Sequence, residues 1–158
     1  MSHFKRIAAL SDIHGDDRRM GELLREGHIL NEDGSWKSED TLLVFNGDYF
    51  DRGPNGIAVA NEIRRLEKEA PEGSEVVAVM GNHDAMMLAA VLHIRNGGKD
   101  LTWEDTYLMS RNGMNGDEMA EVAKDDGLVE WLQNLQAVHV EGGYLFQHVD
   151  GVLFYRML

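Results

Sequence analysis

Three times before residue 85 the chain runs from an apolar stretch into a short polar loop carrying glycine and acid. FKRIAAL leads into SDIHGDD, TLLVF into NGDYFDRGPNG, and EVVAVM into GNHD. A short apolar run bounded by turn residues reads as a buried strand. The intervening segments have helical spacing. Met20, Leu23 and Leu24 share one face of residues 18–26, and Ile57, Val59, Ala60, Ile63 and Leu66 recur through 57–70, which Pro71 ends. Strand–helix–strand–helix–strand implies right-handed crossovers and a parallel α/β sheet. All three polar loops then lie on one edge of that sheet, at the carboxyl ends of the strands, where such sheets bind ligands.

The remainder is less regular. A Met- and Ala-rich helix is expected over 85–93, and a helical stretch over 117–136, interrupted near Gly127. Residues 96–117 are polar and rich in turn dipeptides; Trp103 and Tyr107 there either cover a pocket or simply pack. Residues 138–141 and 144–147, joined by Gly142-Gly143, read as a β-hairpin that ends at His148. With 158 residues the chain fits one domain with a real core.

Composition removes several function classes. The chain carries 28 acidic residues against 15 Lys and Arg, a net charge of -13, and its short basic pairs are flanked by acids. Binding to nucleic-acid backbones needs clustered Lys and Arg, so none is expected. Cysteine is absent, which rules out a disulfide frame and a thiolate metal site. No signal-peptide pattern and no bilayer-length apolar stretch is visible, so a soluble, cytoplasmic protein without a membrane partner is expected.

The three loops hold the chemistry. Asp12 and His14 are two apart after a strand, so in an extended segment they point the same way and can meet a single ion. Asp48, from the second loop, has two oxygens and can bridge two ions. Asn82 offers a neutral carbonyl oxygen, which suits a catalytic ion better than a closed structural zinc site. Asp51 and Arg52 crowd the same turn as Asp48, and a phosphate would satisfy the guanidinium. Each piece also has a plain structural reading. Asp12 and His14 fit a capping acid and a surface histidine, GNHD fits a tight turn with a helix cap at Asp84, and Asp51–Arg52 fits a solvated ion pair.

The combination is more specific. SDIHG, GDYFDRGPN and GNHD, in this order and each after a strand, resemble the signatures GDxHG, GDxVDRG and GNHE of the calcineurin-like metallophosphoesterases, in their phosphoprotein-phosphatase branch. The wording around them looks like the bacterial Shewanella-like phosphatases. The resemblance covers roughly the first half of the chain. Ser11 stands where the signature has Gly, and Asp84 where it has Glu. It implies a β-sandwich flanked by helices (α/β/β/α), of which residues 1–158 would be the N-terminal portion with a largely parallel sheet.

It also implies roles. Asp12, His14 and Asp48 would hold one metal, and Asp48 would bridge to a second held also by Asn82 and, after the later strand phrase LFQHVD, by His148. His83 would be the general acid, charged and held by Asp51, and Arg52, with Asn82, would bind the phosphate. His3, His28, His93 and His139 carry no such role. Two divalent ions are implied, manganese first, with Fe, Zn, Co or Ni as alternatives. The implied reaction is hydrolysis of phosphate monoesters by a metal-bridging hydroxide, on a phosphorylated protein or small molecule, as in serine/threonine-protein phosphatases. Alternatives are a diadenosine-polyphosphate or nucleotide phosphoesterase, and a non-catalytic metal- or phosphate-binding module. The family's last metal-binding His, in a GH phrase, has no counterpart after His148. The 158-residue chain is therefore expected to bind one ion firmly and the second loosely.

Overall fold

The strand Thr41–Asn46 (β2) is the centre of the fold because neither of its faces meets water. Leu42, Leu43, Val44 and Phe45 are all fully buried. Alternation along a strand sends Leu42 and Val44 to one face and Leu43 and Phe45 to the other. Each such side chain contributes roughly 1.5–3 kcal/mol by leaving water. A one-residue slip of register would exchange the faces, so the pairing is tightly specified. Arg6–Leu10 (β1) and Glu75–Val79 (β3) flank β2, both parallel to it, in the order β1-β2-β3. The computed structural model describes residues 3–98 and 113–148. Trp103, Tyr107 and the apolar residues 152–158 lie outside the described residues.

The helices are Asp17–Glu26 (α1), Gly56–Glu69 (α2), Asn82–Arg95 (α3), Gly116–Val122 (α4) and Asp126–Gln133 (α5). Their buried residues, among them Leu24, Ile63, Met87, Val122 and Leu132, form one core with Leu43, Phe45, Val76 and Ala78. The opposite face of the sheet has a separate, smaller core. There Leu42, Val44, Val77 and Val79 pack with Phe4, and Phe146 adds to them from the hairpin. That hairpin is His139–Glu141 (β4) and Tyr144–Phe146 (β5). Its turn places both Gly142 and Gly143 at positive φ (59° and 86°), the type I′ geometry that glycine favours. The architecture is α/β, with a parallel sheet and helices, as the sequence implies.

Two helix starts differ from expectation. The helix after β3 begins at Asn82, not at 85, because Gly81 takes the cap position and the Asp84 carboxylate bends back to the Gly81 N–H (2.8 Å). Asp84 is thus in the first turn rather than a cap, and Asn82 and His83 are helical residues rather than loop residues. The interruption expected near Gly127 falls at residues 123–125. There Asp125 accepts a hydrogen bond from the Leu128 N–H (2.9 Å) and starts α5, with Gly127 inside it. Among the described residues, no helix is long and apolar enough to cross a membrane.

Candidate metal centre

Parallel pairing brings the ends of β1, β2 and β3 to one edge, and backbone hydrogen bonds continue past the strands to tie the loops. Asp12 N donates to Gly47 O (3.1 Å), His14 N to Asp48 O (2.9 Å) and Gly15 N to Tyr49 O (2.9 Å). The second and third loops are joined by Asp84. Its carboxylate accepts from the backbone N–H groups of Asp48 (2.8 Å) and Tyr49 (2.9 Å) as well as from Gly81. Gly47 allows the close approach: at φ 84°, a Cβ there would stand 2.7 Å from Gly81 Cα and 2.8 Å from the His148 ring. Burial pushes the Asp84 carboxyl up to about 6, against the pull of its backbone donors.

These ties hold the loop backbone in a sparsely populated conformation. Asp12, His14, Asp48, Asp51 and Arg52 all have positive φ, between 47° and 69°. For residues with a Cβ this region costs roughly 1–2 kcal/mol each. It persists because the surrounding hydrogen bonds over-determine it, and such strain clusters at functional sites.

Asp48 is the hub. It is nearly fully buried, and its Oδ1 accepts from the His83 backbone N–H (3.0 Å). Its Oδ2 faces two imidazoles, His14 Nε2 at 3.4 Å and His148 Nε2 at 3.2 Å. Each ring is oriented the same way from behind. His14 Nδ1 donates to Phe50 O (3.0 Å), and His148 Nδ1 donates to Asn46 O (2.7 Å). A carbonyl only accepts, so the proton of a neutral ring sits on Nδ1 and Nε2 presents its lone pair. His14 Nε2 is buried with no hydrogen-bond partner among the described residues. A lone pair aimed at a carboxylate is repulsive unless a cation lies between them. Imidazoles fixed through Nδ1 are how metal-ligating histidines are commonly oriented.

The electrostatics agree. Burial alone would push the Asp48 carboxyl up, but hydrogen bonds from His148 and the His83 N–H, with the nearby imidazoles, hold it below the usual value. Asp48 in turn raises His148 to about 9, against the effect of burial. Without an ion, a proton on His148 is the positive charge Asp48 attracts.

The remaining expected residues lie around this hub. Ligand atoms of Asp12, Asp48 and His148 lie within 4.8 Å of one another, and so do those of His14, Asp48 and His83. Asp12 is thus grouped with His148, although its Oδ1 is also 3.9 Å from His14 Nε2. Asn82 is the first residue of α3, half-buried, next to the His83 N–H that holds Asp48. His83 is buried, its ring edge-on to His14 (centroids 4.9 Å apart). Its Nδ1 pairs with Asp51 Oδ2 at 2.8 Å, and its Nε2 accepts from Arg52 Nη2 at 3.0 Å. His139 lies on β4 beside Gln136.

Sequence reasoning missed three contributors. The Asn46 carbonyl orients His148 and has no sequence signal at all. Ser11, visible only as a departure from the signature, donates to Asp12 Oδ2 at 2.5 Å. Glu118, 61 residues after Ile57, accepts from the Ile57 N–H (3.1 Å) and caps α2, whose own cap residue Asn55 is turned to Asp17.

The sequence profile of the calcineurin-like phosphoesterases matches residues 5–153. The chain belongs to that family. Among its relatives, Shewanella-like protein phosphatase 1 of Plasmodium berghei is 38% identical over 92 residues, covering 58% of this chain and 25% of that protein. The symmetrical bis(5'-nucleosyl)-tetraphosphatase of Bordetella pertussis is 30% identical over 147 residues, 93% of this chain and 44% of that protein. A solved cold-active protein-tyrosine phosphatase from a psychrophilic Shewanella superposes over the whole chain and 47% of its own length, with TM-score 0.66 and 24% identity. That likeness bears on the fold alone. The chain spans a quarter to just under half the length of these curated relatives.

Proposed function

We propose that the chain carries the active centre of a metal-dependent phosphoesterase that hydrolyses phosphate monoesters, in the manner of serine/threonine-protein phosphatases. The observation that carries this reading is Asp48 Oδ2, faced by the Nε2 atoms of two imidazoles, each held through Nδ1 by a backbone carbonyl. In this reading Asp48 would serve two divalent ions, with His14 and Asp12 holding one and His148 and Asn82 the other. The nitrogen and oxygen donors suit manganese, with iron, zinc, cobalt and nickel chemically admissible. When bound, the ions neutralise phosphate charge and activate water for attack.

The other residues act on the ester. Arg52 swings from His83 Nε2 to the phosphate, where its planar fork pairs with two nonbridging oxygens. His83, freed at Nε2, takes up a proton there from solvent and delivers it to the leaving oxygen. Asp51, buried and paired to Nδ1, fixes the ring. A nucleotide phosphoesterase is the second reading, favoured by the relative named as a tetraphosphatase, which aligns with 93% of the chain.

The test is a Mn²⁺ titration by calorimetry, with turnover of 4-nitrophenyl phosphate and of a dinucleoside tetraphosphate followed in parallel. Binding and turnover that both vanish in Asp48→Asn are expected, with the ratio of the two turnovers deciding between the readings. Mn²⁺-independent turnover, or an Asp48→Asn variant that binds as the unaltered chain does, would overturn the proposal.

A further inference from the structure

Ser11 follows β1 and is more than a neutral replacement of glycine. Its hydroxyl oxygen lies 2.5 Å from Asp12 Oδ2, 3.0 Å from Asn46 O and 3.5 Å from His148 Nδ1. The hydroxyl has one proton and two acceptors within reach. The 2.5 Å contact has the length of a charge-assisted O–H···O⁻ bond, so the proton belongs chiefly to Asp12. Asn46 O already receives the His148 Nδ1–H at 2.7 Å.

The consequence is a division of labour between the two Asp12 oxygens. Asp12 has a side chain 60% exposed, and its Oδ1 is the oxygen facing His14 Nε2. Such a side chain has little packing to hold it. The hydrogen bond from Ser11 to Oδ2 fixes the carboxylate and leaves Oδ1 directed at the centre. The same hydroxyl touches the back of His148, whose Nε2 meets Asp48. One side chain therefore contacts the supports of two groups that converge on Asp48 from different parts of the chain.

We propose that Ser11 is a positioning residue for the metal centre, setting ion affinity by holding the Asp12 carboxylate and backing His148. This rests on the metal-binding reading above. The glycine of the signature cannot make these contacts, since it has no hydroxyl.

The test compares Ser11→Ala and Ser11→Thr with the unaltered protein, by Mn²⁺ calorimetry and by thermal unfolding of the ion-free forms. Outer hydrogen-bond partners of ligands commonly change metal affinity by about 10-fold or more. Ser11→Ala is expected to raise the Mn²⁺ Kd by about 10-fold with the ion-free Tm unchanged, and Ser11→Thr, which keeps the hydroxyl, to restore most of the affinity. An unchanged Kd in Ser11→Ala, equal losses in both variants, or a fall in ion-free Tm that accompanies the loss would each overturn the inference. An unaltered protein that binds no Mn²⁺ would overturn the metal reading itself, and the inference with it.

Discussion

Arg52 Nη2 donates to His83 Nε2 across 3.0 Å. A guanidinium only donates, so Nε2 is an acceptor here and the ring carries its proton on Nδ1, toward Asp51. The nitrogen assigned to proton delivery is therefore engaged until Arg52 moves. A phosphate that draws Arg52 away would release it, which couples substrate capture to readiness of the acid.

Replacing Arg52 separates the two functions. Arg52→Ala is expected to weaken inorganic phosphate binding by about 10-fold or more, while Mn²⁺ affinity stays within about twofold, because Arg52 faces His83 and not Asp48. Arg52→Lys should recover only part, since an ammonium lacks the planar fork. Calorimetry with phosphate in the presence of Mn²⁺ measures this; an unchanged phosphate Kd in Arg52→Ala would remove Arg52 from the substrate site.

Ion binding should release a proton from His148. Asp48 raises its pKa to about 9, so the ring is protonated at pH 7.5, whereas a ligand must be neutral. The sign for stability follows: a raised histidine contributes most below its unfolded value near 6.5, and that contribution is lost as pH rises through about 9. Binding enthalpies for Mn²⁺ at pH 7.5 should therefore depend on buffer ionisation enthalpy with a slope near one proton, and the slope should fall to about half a proton near pH 9. A slope of zero at pH 7.5 would separate His148 from the ion.

Asp84 should be costly to remove for reasons of folding. Its carboxylate satisfies three backbone N–H groups of Asp48, Tyr49 and Gly81 and is fully buried. Leaving a buried donor unpaired costs roughly 1–3 kcal/mol. Asp84→Ala should thus lose on the order of 3 kcal/mol or more, about 10 °C in Tm for a domain of this size. Thermal unfolding of the ion-free protein checks it, and a fall of only a degree or two would mean that those groups find other partners.

Glu118 gives a pH signature. Burial, set against hydrogen bonds from the start of α2, raises its carboxyl above the usual range. A raised acid means the fold favours the neutral form over the charged one, so its stabilising contribution is complete below its unfolded value near 4.5 and is lost as pH rises through the folded value. Glu118→Gln keeps an acceptor oxygen but no charge. The Tm difference, variant minus unaltered protein, should therefore grow more positive from pH 4 to pH 8. A difference that stays flat over that range would count against the buried, raised carboxyl.

Much of this was legible because periodicity and motif coincide. Leu42 to Phe45 had to be a buried strand, and the loop after it had to meet the loops after the neighbouring strands once the pairing was parallel. That edge brought the loops of Asp12, His14, Asp48, Asp51, Arg52, Asn82 and His83 together, while the role given to His83 came only with the family resemblance. His148 was legible only through the family phrase, since nothing in a hairpin's sequence shows which carbonyl its last histidine will find. Glu118 was illegible for a simpler reason: capping across 61 residues leaves no local pattern. The start of α3 was misjudged because glycine reads as loop, while here Gly81 caps a helix that takes in Asn82 and His83.

Five side chains of the centre sit on left-handed backbone. Glycine would occupy those positions with less strain, and at Asp12, which is mostly exposed, it would sacrifice little packing. The fold, left to itself, would be more comfortable without its chemistry. Drift under selection for stability alone should therefore replace Asp12 early and leave the fold sound. A descendant that has lost its function would be recognised by glycine at Asp12 long before its core shows any change.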